Sequence, residues 1–263
     1  MKLLTINVHA WQEHNQLEKI NELARVIHMN RYDAIALQEA SQHREVDIVY
    51  DSIRKDNYAL LLQQALAKLG SSDFNLFWEA THYGYDIYEE GLALLVRHPV
   101  VNYDSFYITE SSSLDFWKSR KIVGITIQLN KQMISLYSCH LGWWEDKEES
   151  YTRQVDNLLK KAEKHEKFLL LGDFNAASNK KNEGYDYLLS KGLYDTHVLA
   201  HEKSGEFTIQ GDIAGWDGNK AGLKIDYIFA NWQAGVRHSH IIFDGNNEPI
   251  ISDHYGIELE LSI

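Results

Sequence analysis

The segment KFLLLGDFNAAS, residues 167–178, joins an apolar run to an aspartate and an asparagine two residues apart. Side chains alternate faces along a strand, so Asp173 and Asn175 project the same way at its C-terminal end. The device recurs. Asn7 closes the first apolar run, Glu39 the second, and His140 closes QMISLYSCH. Asp226 lies within LKIDYIF, and Asp253 and His254 stand just before the last strand-like run. Gathered at one edge of a sandwich, these groups would form a cluster of carboxylates, amides and imidazoles suited to hydrolysis at phosphorus. A hard divalent cation takes oxygen ligands and keeps several waters, and Glu39 can supply one such ligand. The cation would neutralise charge on phosphoryl oxygens and position the ester. Asp173 can orient or deprotonate water, and Asn175 can donate hydrogen bonds to phosphate oxygens. His254 can act as acid, base or charge stabiliser once a carboxylate fixes its tautomer, and Asp226 is the candidate partner. Taken singly, each residue has an ordinary alternative as a turn residue, a helix cap or a satisfied structural histidine. The ordered set is what points to chemistry.

Strands and helices must position these groups. QLEKINELARVIHM repeats apolar residues at helical spacing, a helical pattern lies within residues 49–69 and stops at Gly70, and residues 148–165 predict a helix with one apolar side. A short helix is expected near residues 185–190. FNLFWEA, GLALLVR, KIVGITIQL, QMISLYSCHL, FLLLGDFN, LKIDYIFA, GVRHSHIIF and HYGIELELSI read as strands. Adjacent strand-to-strand steps argue for two packed sheets with helices outside rather than a simple doubly wound sheet. No repeat, low-complexity tract or proline-rich linker divides the chain, so one domain over residues 1–263 is expected. Gly211–Gly222 reads as a loop.

The chain of 263 residues is long enough for an ample core, and its formal net charge is −12. An acidic chain repels a long polyanion unless local basic groups or a metal intervene, which counts against nonspecific duplex binding without ruling out nucleic acid. A single cysteine excludes a disulfide scaffold. No apolar run approaches the roughly 18 residues of a membrane span. The chain reads as cytoplasmic, or as a mature form whose leader has been removed. No obligatory protein partner is evident.

LTINV, LQEA, SCHL, GDFN, KIDYIF and SDHYGIE together resemble the ordered signatures of the endonuclease/exonuclease/phosphatase superfamily, from Asn7 to His254. The resemblance implies a four-layer α-β-β-α sandwich and Mg2+-dependent phosphoester hydrolysis by in-line attack of water, with Mn2+ able to substitute. It implies Glu39 as principal metal ligand and Asn7 near metal and phosphate. Asp173 would activate water, with Asn175 beside it on phosphate. Asp226 and His254 would be the carboxylate–imidazole pair, Asp253 an acid that contacts a metal, and His140 the second histidine of the nuclease, lipase and phosphatase branches. Glu90 resembles the acid that orients that second histidine, with a solvated turn acid as the alternative. Arg120 resembles a basic phosphate contact, a place that Lys121 could equally fill.

Trp143 and Trp144 follow His140 closely and could stack on a base, sugar or lipid headgroup at the rim, unless one of them packs inward. His9, Trp11 and Trp216 add to the rings expected near the mouth. These features favour a small or lipid phosphoester as substrate. A metal-dependent deoxyribonuclease is the enzyme alternative, and an inert binding or regulatory protein on the same scaffold is the non-enzyme one.

Overall fold

In a computed structural model, which describes residues 1–262, the main strands in chain order are β1 (Lys2–Asn7), β2 (Ala34–Gln38), β3 (Asn75–Gly84), β4 (Tyr88–Val96), β5 (Val100–Tyr107), β6 (Lys121–Leu129), β7 (Gln132–His140), β8 (Phe168–Asp173), β9 (Asp226–Ala230), β10 (Gly235–Ile242) and β11 (Gly256–Ser262). The main helices are α1 (Gln16–Asn30), α2 (Tyr58–Lys68), α3 (Tyr151–Ala162) and α4 (Gly184–Ser190). Ile263, the last residue of the expected domain, lies outside the described residues.

Alternation along the strands sorts the layers. On β1, Leu4 and Ile6 turn outward to the cluster that holds Ile20 and Leu23 of α1 and Leu62 of α2. Leu3 turns inward to a second cluster with Leu136 of β7 and Leu169 and Leu171 of β8. On β8, Phe168 and Leu170 face a third cluster with Val155 and Leu158 of α3 and Leu188 of α4. Two sheets therefore pack face to face with helices on both outer sides, an α-β-β-α sandwich. Each fully buried leucine at these contacts contributes about 1.5–3 kcal/mol.

The first sheet orders its main strands β10-β11-β1-β2-β4, with β3 also on β4, and the second β9-β8-β7-β6-β5. Each sheet contains one parallel pair of main strands at its centre. In the first, β1 runs parallel to β2 and brings Asn7 opposite Gln38. In the second, β7 runs parallel to β8 and brings His140 opposite Asp173. Antiparallel β9 then sets Asp226 opposite Asp173. Below these tips a polar stitch joins the sheets. Gln38 Nε2 donates to Ser138 Oγ at 3.1 Å, and Ser138 Oγ donates to the Leu37 carbonyl at 3.0 Å.

Two helix starts and one strand differ from the periodic pattern. α2 starts only at Tyr58, because Asn57 caps it by accepting from the Leu60 amide at 3.0 Å and the residues before it form a small hairpin, Ile48–Tyr50 with Ile53–Arg54. α3 starts at Tyr151 behind the Ser150 cap. The strand β5 was not expected. It is an edge strand whose side chains are mostly exposed, so it lacks an apolar alternation to read.

Candidate active site

The inward face is apolar through its middle, and the same parity makes it polar at one end. Asn7 shares the inward face of Leu3, Asp173 that of Leu169 and Leu171, and Asp226 that of Ile228. His140 follows Ile134 and Leu136 in the same way. This is the carboxyl end of both parallel pairs, where ligands bind in open α/β sheets. Gly172 makes the approach possible: its φ is +147°, and a Cβ there would lie 2.0 Å from the Cys139 carbonyl oxygen. Three residues in positive-φ backbone, His9, Glu39 and Asn175, also cluster at this end, at φ of 43°, 52° and 46°. Such strain in residues other than glycine concentrates at functional sites.

Asp173 occupies the centre. Its Oδ2 accepts from Asn7 Nδ2 at 3.3 Å and lies 3.7 Å from His140 Nε2 and 3.9 Å from His254 Nε2. Its Oδ1 accepts from the Asn175 amide at 2.8 Å. Each flanking imidazole is backed by a carboxylate on its other nitrogen. His254 Nδ1 lies 3.0 Å from Asp226 Oδ2, and His140 Nδ1 lies 3.8 Å from Glu90 Oε1. Asn7 Nδ2 also donates to Glu39 Oε1 at 2.8 Å, which links the two sheets' contributions. Asn175 donates from Nδ2 to the Leu141 carbonyl, while its Oδ1 accepts from Trp216 Nε1 at 3.0 Å. That bond fixes the amide with its nitrogen toward the chain of Leu141.

These groups line a cleft of about 470 Å³. Asp253 lines it too, with Oδ1 3.5 Å from His9 Nδ1. Arg120 enters from the other wall and is buried, its guanidinium donating to the Trp117 and Ser119 carbonyls. Its Nε has no hydrogen-bond partner among the described residues. The two tryptophans part company. Trp143 lines the cleft and meets Trp117 at 6.1 Å between ring centres, whereas Trp144 packs between Tyr151 and Tyr187 and lines an adjoining cleft. Trp11, expected near the mouth, instead packs against the helix-covered core and donates to the Ser41 carbonyl.

A family model described as Endonuclease/Exonuclease/phosphatase family matches residues 5–254. The chain belongs to the endonuclease/exonuclease/phosphatase family. A solved family protein from Leptotrichia buccalis C-1013-b is 40% identical with a TM-score of 0.95, and the match covers 100% of both chains. The fold alone is shared with a mannosyl-6-phosphatase from Bacteroides thetaiotaomicron VPI-5482, at 14% identity, TM-score 0.73 and 100% coverage of both chains. It is also shared with D. rerio TDP2 complexed with a single-strand DNA product, at 15% identity, TM-score 0.68 and coverage of 100% of this chain and 99% of that one. No curated protein matches the chain significantly. The family is one of phosphoesterases and nucleases, whose members generally hydrolyse phosphoester bonds and use divalent metals.

Family chemistry meets unusual electrostatics here. Burial, reinforced by the charge of Asp226, pushes the Asp173 carboxyl up to about 7. Burial and the charge of Glu90 push Glu39 up to about 7 as well. Burial also opposes charge on Glu90, but His82 and then Arg120 outweigh it and pull that carboxyl down to about 2. His254 is the converse: burial disfavours the imidazolium, yet Asp226 overrides it and raises the ring to about 10. Burial and Arg120 hold His140 well below its ordinary value. His254 offsets the charge of Asp173 only in part and His9 that of Glu39 only in part, and a bound cation would supply the remainder. Glu39 and Asp253 both line the cleft and offer the carboxylate oxygens that a hard divalent metal takes.

Sequence reading missed His82, whose Nε2 lies 3.4 Å from Glu90 Oε1. The signal is a cross-strand one: the β3–β4 hairpin sets His82 opposite Glu90. It also missed Glu13, which holds His9 Nδ1 at 3.0 Å and is readable only as a His-to-Glu spacing of one loop turn. Tyr83, Tyr85 and Trp117 in the cleft wall carried no periodic signal.

Proposed function

We propose that this chain is an Mg2+-dependent phosphoester hydrolase, acting as one domain over residues 1–263 on a small or lipid-headgroup phosphoester by in-line attack of water. The observation that carries the reading is the placement of Asp173 Oδ2 within 3.9 Å of two imidazole nitrogens and one carboxamide, each from a different strand end. Isolated structural carboxylates do not gather such a shell.

Glu39 and Asp253 would hold the metal, with Mn2+ able to replace Mg2+, and the metal would supply charge neutralisation at the phosphoryl oxygens. Asp173, held near 7, is matched to take a proton from the attacking water. His254, kept protonated by Asp226, donates to a phosphoryl oxygen where negative charge develops. Asn175 offers its second amide hydrogen to the same group, while Asn7 holds Glu39 and Asp173 in place beside it. His140, held neutral with its one proton on Nδ1 toward Glu90, presents Nε2 to the cleft as a hydrogen-bond acceptor that can orient the attacking water. Arg120 has an unpaired buried Nε and contacts phosphate on the far side of the cleft. Trp143 and Trp117 give an organic ring a surface to lie against.

A compact ester is favoured over a long duplex because acids dominate the cleft lining. Glu39, Glu90, Asp173, Asp217 and Asp253 face a single arginine. A substrate panel tests the reading. Sugar phosphates, inositol phosphates, sphingomyelin, bis-p-nitrophenyl phosphate, plasmid DNA and RNA are assayed with and without Mg2+. The expected result is metal-dependent turnover of a compact ester that is lost in Glu39→Ala. Preferential cleavage of plasmid DNA would instead make the chain a nuclease, and inertness across the panel would make it a binding protein.

A further inference from the structure

We propose that His238, His240 and Glu258 form a second metal site, suited to a borderline transition cation of the zinc type, on the outer face of the first sheet. None of these residues lines the catalytic cleft. The placement follows from alternation. Ile241 of β10 and Ile257 and Leu259 of β11 belong to the inter-sheet core, and Ser239 is fully buried. His238 and His240 therefore share the outer face. The antiparallel register then sets His240 directly opposite Glu258.

The three side chains each present one ligand atom, and those atoms lie within 4.8 Å of one another. The imidazoles stack at 5.0 Å between ring centres and 19° between planes, so both rings reach out side by side. A tetrahedral zinc site with bonds of about 2.1 Å spaces its ligand atoms by about 3.4 Å, a closure that side-chain rotation can supply. Outer partners already orient two of the three. His240 Nδ1 meets Ser204 Oγ at 2.8 Å, which leaves Nε2 for a cation. The Tyr32 hydroxyl donates to Glu258 Oε2, which leaves the other carboxylate oxygen. Such outer-shell bonds are what holds metal-ligating histidines and carboxylates in place. Neighbouring Glu260 accepts from Arg237 at 2.9 Å and lies 3.8 Å from His238 Nε2, adding negative charge around the site. Two imidazoles with one carboxylate select zinc-type cations over Mg2+ or Ca2+, which prefer all-oxygen cages.

The site would tie β10 to β11, and Tyr32 would couple it to the turn after α1. Titration calorimetry of the full chain with ZnCl2 in excess Mg2+ tests the assignment, using Glu39→Gln/Asp253→Asn as the background that weakens cation binding in the catalytic cleft. One Zn2+ per chain is expected in that background, and Co2+ in its place should give the visible absorption of a four-coordinate site. Both signals should vanish when His238→Gln/His240→Gln is added. Tyr32→Phe should weaken the site about tenfold. In the otherwise wild-type chain, His238→Gln/His240→Gln should leave Mg2+-dependent activity and the metal-free melting temperature unchanged, which separates loss of ligands from misfolding. Undiminished Zn2+ stoichiometry after the double histidine substitution, or no Zn2+ binding in the background variant while it remains folded, would overturn the proposal.

Discussion

The sharpest contrast at the residue scale is between Asp173 and Glu39, two buried carboxylates with different neighbours. Both line the cleft, but Asp173 accepts from the Asn7 and Asn175 nitrogens beside two imidazoles, whereas Glu39 among the described residues accepts from Asn7 alone. Asp173→Asn should therefore keep Mn2+ affinity largely intact while lowering kcat by about 10²–10⁴-fold. Glu39→Gln should weaken Mn2+ itself, and titration calorimetry on both variants separates the roles. Equal loss of affinity would show the roles misassigned. The pairing of His254 with Asp226 makes a second prediction. The ring is raised above its ordinary 6.5 to about 10, so the imidazolium persists throughout neutral pH. The pair's contribution to folding is then full below about 6.5 and fades as pH climbs through about 10. Asp226→Asn removes the charge that sustains the imidazolium. The alkaline limb of the pH–rate profile should move to lower pH, and the NMR titration of His254 should move with it.

Elements place these residues through strand parity, and that much was legible in the sequence: apolar runs ending in Asn7, Asp173 and His140 announced strand tips. What was not legible depended on neighbours in space. β5 buries only its ends, Val100 and Phe106, the hairpin at Ile48–Ile53 displaced the start of α2, and His82 met Glu90 only through a hairpin register. The GDFN turn allows a test at this scale. Gly172 combines a φ of +147° with a carbonyl 2.0 Å from any added Cβ. Gly172→Ala should cost about 2–4 kcal/mol by thermal or denaturant unfolding. It should also displace Asp173 relative to His140, so turnover measured on the folded fraction should fall as well. Unchanged kcat in that fraction would show the tip tolerates a shift.

For the molecule as a whole, the acidic surface and the aromatic wall set what can enter. Trp143→Ala should raise KM for a ring-bearing ester with kcat little altered, the signature of binding lost equally from ground and transition states. The sandwich architecture was readable from the order of elements, but convergence of both sheets on one cleft needed the third dimension. Besides the shared apolar core and the Asn7–Asp173 bond, Ser138 joins the sheets, its hydroxyl accepting from Gln38 and donating to the Leu37 carbonyl across the interior. Interdigitated apolar side chains already resist sliding, and a directional bond adds a fixed register to them. Ser138 thus acts as a locating pin between two plates. Without it the plates would still adhere with a looser alignment, so a side chain that lines no part of the shared cleft would reach into its geometry.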